Sequence, residues 1–309
     1  MSEITFLDLP SVSLETLDPR DFDVAILGVP HGVAYHNQGL TAGCADAPAA
    51  VRARSRRLAA FVSHHDFDLD GPMLPPGSAL RMADVGDVPG TPDDGAGNAA
   101  RAEGSVRTLL EAGTIPMILG GDDSIPIPVL RAYAGRGPVC VVQVDAHLDY
   151  RDEVSGVREG YSSTMRRICE MEHVAQVVQV GLRGVGSARS SDVADARAAG
   201  NLLVTARQLR ERGAPWLLAQ LPMEMPIFLL FDLDALDPSV APAVSGLSPG
   251  GLSYDRASDL VSGIAANHRL AGAAFTELVP ALDPTGASAL AVVRLAMLVL
   301  GTLARRSEL

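Results

Sequence analysis

The sequence predicts an α/β protein of three layers, a parallel sheet between two layers of helices, in one domain spanning residues 1–309. Three observations carry that expectation. Short β-rich runs alternate with Ala-rich, helix-periodic segments along most of the chain, which is the signature of a parallel α/β sheet. Several of the runs are apolar on both faces, as strands covered by helices on both sides must be. No repeat of roughly 20 to 50 residues interrupts the pattern, and the Pro/Gly-rich stretches at 70–78, 87–97 and 238–251 read as surface connections rather than linkers.

In chain order, the expected strands are DVAILGV (23–29), MADVGD (82–87), IPMILG (115–120), VCVVQVD (139–145), VVQVGL (177–182), LLVT (202–205), IFLLFDLD (227–234) and GAAFTEL (272–278). Expected helices cover 46–60, 97–112, 189–199, 253–266 and 286–305. The last contains ASALAVVRLAMLVLGTLARR (287–306), long enough to resemble a membrane span. Arg294 interrupts its apolar run, so it reads as a core helix.

Composition narrows the function. With 25 Lys+Arg against 37 Asp+Glu, the formal net charge is -12, which disfavours nucleic acid and anionic membranes as partners and suits a small-molecule partner. The three cysteines, Cys44, Cys140 and Cys169, are odd in number and lack CxxC spacing, so neither a disulfide framework nor a zinc knuckle is expected. The acidic start, MSEITFLDLPSVSLETLDPRDFD, has no basic region leading into an apolar one. A reducing, cytoplasmic location is the expectation.

Three predicted strands finish in acids. VVQVDAHLDY places Asp145, His147 and Asp149 at alternate positions, on one side of an extended segment. LLFDLDALDPS does the same with Asp232 and Asp234, and ILGGDDS adds Asp122 and Asp123. Open α/β sheets bind ligands at the carboxyl ends of their strands, where these groups can converge. So many carboxylates would repel one another without cations, and with one imidazole they make a candidate site for one or two divalent metals. A lone DxD at a strand end is commonly a cap or loop support; DxHxD together with DxD on separate strands is hard to explain that way. Gly120-Gly121 does not read as a phosphate cradle, because acids follow it and neither GxxxxGKS nor GxGxxG is present. These glycines are expected to let the backbone turn sharply. No GxSxG nucleophile elbow occurs.

In this order the motifs resemble the ureohydrolase family of arginases, agmatinases and related amidinohydrolases. The family signatures GGDHS, DAHxD and SxDxDxxDPxxAPGTGTPxPGGL correspond to GGDDS (120–124), DAHLD (145–149) and LFDLDALDPSVAPAVSGLSPGGL (230–252). GVPHGVAYHNQGLTAGCADAPAAVRARS (28–55), VQVGLRGVGS (178–187) and FTELVPALDP (275–284) extend the resemblance, closer to agmatinase-like members, over nearly the whole chain. It implies a three-layer α/β/α sandwich around an eight-stranded parallel sheet, the arginase/deacetylase-like fold, assembled as a trimer or hexamer. It also implies hydrolysis of a guanidino or amidino C–N bond, releasing urea and an amine through a hydroxide bridging two divalent metal ions. The usual metal is Mn²⁺, with Ni²⁺ or a mononuclear centre as alternatives. By resemblance, Asp145, Asp149 and Asp232 contact the metal that the GGDHS histidine also ligates, and Asp145 and Asp232 bridge to a second metal completed by His147 and Asp234. Asp149 orients the hydroxide and Glu277 binds the guanidinium group of a small cationic substrate.

Two departures stand out. Asp123 replaces the GGDHS histidine; a carboxylate oxygen lies as far from Cβ as the ring nitrogen that binds in the family, so Asp123 is itself a candidate ligand. The change adds a negative charge, which lowers the Lewis acidity of the ions and favours hard metals. The second departure is GYSSTMRR, where relatives carry YSHGT with a proton-shuttling histidine. Ser162 is a candidate substrate contact there, and Arg151 another, suited to a carboxylate-bearing substrate. Water, or His31 or His36, is an alternative proton carrier, whereas His173 reads as a helix-end residue. These departures also motivate a second function, a degenerate subunit supporting an active paralogue in a hetero-oligomer. A third reading is a one-metal amide hydrolase on the same fold.

Overall fold

The computed structural model describes residues 4–18, 21–33, 35 and 39–306. All eight expected strands form and make one parallel sheet: β1 (Val24–Val29), β2 (Met82–Asp87), β3 (Ile115–Gly120), β4 (Val139–Val144), β5 (Val174–Leu182), β6 (Leu202–Thr205), β7 (Ile227–Asp232) and β8 (Leu270–Thr276). Their order across the sheet is β2-β1-β3-β8-β7-β4-β5-β6. Every residue of β1, β4 and β7 is buried, which accounts for their unbroken apolar sequences.

Alternate side chains of the strands feed two apolar layers. On one face Ile26, Leu119, Val142 and Phe231 pack with α1 (Ala47–Ala59), α8 (Tyr254–Asn267) and α9 (Ala287–Leu303). On the other, Leu27, Ile118, Val141 and Leu230 meet α2 (Gly95–Glu111), α3 (Pro126–Arg131), α4 (Thr164–Cys169) and α5 (Ser190–Ala198). The result is a three-layer α/β/α sandwich.

Short α3, α4, α6 (Ala206–Arg212) and α7 (Ala214–Leu218) go beyond the sequence expectation. At five to seven residues they span too few turns to display a helical period. The apolar helix α9 packs on α1 and α8, and Arg294 donates to Asp66 (2.6 and 2.8 Å) and Asp68 (2.7 Å). Among the described residues no helix is long and apolar enough to cross a membrane.

The strand order positions the site. β3, β8, β7 and β4 are consecutive neighbours in the middle of the sheet, so the segments leaving their carboxyl ends share one edge.

Candidate active site and metal centre

After β3 the chain bends at Gly121 and Asp122 and turns through residues 123–125, passing close to its neighbours as it does so. The expected turn forms, but neither Gly120 nor Gly121 has a positive φ, so it is not a left-handed conformation that calls for glycine there. A Cβ on Gly121 would lie 2.3 Å from the Pro30 carbonyl oxygen, and one on Gly120 would lie 2.9 Å from Thr276 Cγ2. The glycines are needed for close approach. Asp122 supports the following turn: its Oδ1 accepts from the Ser124 N–H (2.8 Å) and hydroxyl, and Ser124 Oγ accepts from the Val33 N–H (2.7 Å). Asp123 points elsewhere. Its Oδ1 accepts from the Thr276 hydroxyl (2.9 Å), while its Oδ2 is buried without a hydrogen-bond partner.

Beyond β4, Asp145, His147 and Asp149 come together through a turn, not by strand alternation, because the strand stops at Val144. Asp145 accepts from the His147 N–H (2.5 Å), and His147 Nδ1 lies 2.9 Å from Asp234 Oδ2. Asp149 has a φ of 44°, a left-handed conformation uncommon for a residue with a Cβ. Asp232 ends β7, and a single 3₁₀ turn, Leu233–Ala235, returns Asp234 beside it, with the Asp234 N–H donating to Asp232 Oδ1 (2.8 Å). Glu277, just past β8, is also left-handed (φ 67°). Its Oε1 accepts from the Asp123 N–H (2.9 Å), and its Oε2 accepts from the Ser245 hydroxyl (2.9 Å).

These groups border a cavity of about 170 Å³ lined by Asp123, His147, Asp149, Asp232, Asp234 and Glu277, with Tyr161, Ser162, Gly186, Ser187, Ser245 and Gly246. Asp145 is fully buried among them. Burial, followed by the charge of Asp234, pushes the Asp145 carboxyl up to about 7. Glu277 is pushed up to about 8 by burial, with the charge of Asp122 adding to it. Asp123, Asp149 and Asp232 are raised well above the carboxylate range, first by burial and then by their acidic neighbours. His147 is raised to about 9, chiefly by its hydrogen bond to Asp234.

Carboxyls that resist ionisation for want of countercharge fit divalent cations. Two sets of ligand atoms lie within 4.8 Å of one another, Asp123 with Asp145 and Asp149, and Asp145 with His147 and Asp234. The unpartnered Asp123 Oδ2 belongs to an aspartate in the first set. Oxygen-rich donors with one imidazole suit a hard ion such as Mn²⁺.

The remaining sequence candidates divide. Ser162 lines the cavity. Arg151 is not among the lining residues; its guanidinium donates to the Ser187 carbonyl (3.1 Å) and lies 3.5 Å from Asp192. His31 borders a separate small cavity with Asp122, and His173 Nε2 is 2.8 Å from the Leu130 carbonyl oxygen. His36 lies outside the described residues. Sequence reasoning did not single out Ser245, Gly186 or Gly246. The signal for Ser245 was a displacement: where the family segment reads Gly-Thr, this chain has Ser245-Gly246. The two glycines leave room for the imidazole, since a Cβ on Gly186 would sit 2.6 Å from His147 Cδ2 and one on Gly246 would sit 2.9 Å from Cε1.

A sequence profile of the Arginase family matches residues 22–301. The chain belongs to the arginase family. Among its arginase-family relatives, a guanidinopropionase of Pseudomonas aeruginosa is 31% identical over 292 residues, covering 93% of this chain and 87% of that protein. An agmatinase of Salmonella paratyphi B is 31% identical over 299 residues, covering 94% and 90%. The proclavaminate amidino hydrolase of Streptomyces clavuligerus superimposes with a TM-score of 0.84 at 26% identity, over 99% of this chain and 98% of that one. The eight-stranded arrangement described above is thus the arginase-family fold.

Proposed function

We propose that this protein is a metal-dependent hydrolase of a guanidino compound, agmatinase-like, cleaving a C–N bond to give urea and an amine. The observation that carries the reading is the convergence of Asp123, Asp145, His147, Asp149, Asp232 and Asp234 with Glu277 from four neighbouring strand ends. The names of the guanidinopropionase and agmatinase relatives support it.

Asp123, Asp145, Asp149 and Asp232 would hold one ion, and Asp145, Asp232, His147 and Asp234 the other. Divalent ions held there would supply Lewis acidity and bring the pKa of water toward neutrality. Glu277 recognises the substrate. Its two oxygens, each fixed by a hydrogen bond from Asp123 N–H or Ser245 Oγ, keep lone pairs for a planar cation, so the guanidinium docks in one orientation. That orientation presents the central carbon to the attacking water, whose oxygen forms the new C–O bond as the C–N bond breaks. Asp149 accepts one proton of the water and returns it to the leaving nitrogen, and the second passes to the departing amine as the urea carbonyl forms, so urea and the ammonium form of the amine are released. Returning the first proton falls to Asp149 because His147 is the sole imidazole lining the cavity among the described residues.

The test is purification with Mn²⁺, and separately with Ni²⁺ or Zn²⁺, followed by metal analysis per chain. Agmatine, arginine, guanidinobutyrate, guanidinopropionate and simpler guanidines are then screened for urea release. Two ions per chain with urea release supports the proposal. Absence of bound metal together with absence of turnover on every substrate would overturn it in favour of a non-catalytic subunit.

A further inference from the structure

Adjacent strands β4 and β5 carry the same four residues, Val141-Val142-Gln143-Val144 and Val177-Val178-Gln179-Val180. Their register pairs Gln143 with Gln179, and both amides are fully buried in the sheet. A buried amide left without partners is destabilising, so both are expected to be hydrogen-bonded.

Those bonds run in one direction. Gln143 Nε2 donates to Asp145 Oδ2 (2.6 Å), and Gln143 Oε1 accepts from Gln179 Nε2 (2.7 Å). Gln179 Nε2 also donates to the Leu148 carbonyl (2.8 Å), inside the DAHLD turn. Gln179 Oε1 accepts from Asn201 Nδ2 (3.2 Å), and Asn201 Oδ1 lies 3.3 Å from Cys169 Sγ. An ionised carboxylate only accepts, so its presence at the inner end orients every amide behind it. Asp145 is consequently held at both oxygens, by Gln143 on Oδ2 and by the His147 N–H on Oδ1. Its carboxyl cannot rotate without breaking both bonds.

We propose that Gln143 and Gln179 are positioning residues of the metal centre. Gln143 fixes the plane of Asp145, a carboxylate common to both ligand sets, and Gln179 fixes Gln143 and the turn that carries His147 and Asp149. This inference rests on the metal-dependent reading above.

The test is Mn²⁺ titration of the metal-stripped full-length protein, following free Mn²⁺ by electron paramagnetic resonance. Gln143→Met and Gln179→Met, which keep length and remove the amide, are each expected to weaken at least one Mn²⁺ site by roughly 10- to 100-fold, the range for outer-shell ligand support. Because the two act in series, the double variant should lose less than the product of the single losses. A merely space-filling role would lower the unfolding midpoint of the metal-free protein without changing Mn²⁺ affinity. Should Gln143→Met fail to fold, Asn201→Ala, at the partly exposed outer link, is expected to weaken binding in the same direction. Unchanged affinities in the folded variants, with two ions on the unaltered protein, would overturn this inference alone. An unaltered protein that binds no Mn²⁺ would overturn this inference, and the proposed function with it if Ni²⁺ and Zn²⁺ are also unbound and no guanidino compound is turned over.

Discussion

Replacing Asp123 by Asn should have opposite effects on the protein with and without metal. The ligand oxygens of Asp123, Asp145 and Asp149 lie within 4.8 Å of one another. Two unit charges at that spacing repel by about 3.5 kcal/mol at an effective dielectric constant of 20. Proton uptake relieves part of this, since Asp145 titrates near 7 when no ion is bound. Asn removes the charge, keeps the Oδ1 that accepts from Thr276, and places an amide where Oδ2 has no partner. In EDTA at pH 8 the variant should therefore be about 1–2 kcal/mol more stable than the parent by urea unfolding. In Mn²⁺ the sign reverses, because an anionic ligand is gone. One site should weaken at least about 100-fold, beyond the usual effect of altering an outer-shell partner. Asp123→His, which restores the family motif, should keep two ions per chain. An Asn variant that is destabilised in EDTA and binds Mn²⁺ like the parent would refute both the repulsion and the ligand assignment.

Three further outcomes are expected. Glu277→Gln should keep its metal content and lose about 1.5–3 kcal/mol of transition-state binding, roughly 10- to 150-fold in kcat/KM, measured on whichever guanidino compound releases urea. Gly186→Ala should displace His147 and reduce metal content at the Asp234 end, read by metal analysis; full occupancy would show that the loop yields instead. Stability of the metal-free protein should fall as pH rises. Asp145 and Glu277, ordinarily 3.8 and 4.5, are raised to about 7 and about 8 in the fold, so the unfolded chain binds fewer protons than the native one between those values. Their contribution is complete below about pH 4 and is lost through pH 7–8, with Asp145 alone accounting for about 1 kcal/mol between pH 6.5 and 8. Saturating Mn²⁺ should reverse the slope by displacing those protons, and parallel thermal melts in EDTA and in Mn²⁺ would show it.

Much of this architecture was legible in the sequence for a specific reason. A strand covered on both faces, such as VAILGV or VCVVQV, has little choice but to be apolar throughout, and the strand-end acids break that pattern abruptly. Asp145, His147, Asp232 and Asp234 were visible for that reason, although turns rather than strand alternation bring them together. Ser245 was harder to see, because its role depends on Glu277, 32 positions away. Gln143 and Gln179 were harder still. A polar residue in a strand ordinarily suggests a solvent-facing side, and only the register of β4 against β5 shows that each amide faces another. Arg151, adjacent to the DAHLD motif and its Tyr150, had a suggestive position in sequence, yet its side chain runs to Ser187 and Asp192.

β8, the last strand of the chain, lies between β3 and β7 near the centre of the sheet. Before residues 270–276 enter, the earlier strands can form only two half-sheets, one carrying Asp123 and the other carrying Asp145, His147, Asp149, Asp232 and Asp234. Insertion of β8 joins the halves and brings in Glu277 and the Thr276 hydroxyl that holds Asp123. Such non-local closure is slow and comes late in folding. On the proposed function, a chain still emerging during synthesis would therefore lack the full set of candidate ligands, and metal loading would belong to the finished fold, after the first opportunity to capture a stray ion has passed.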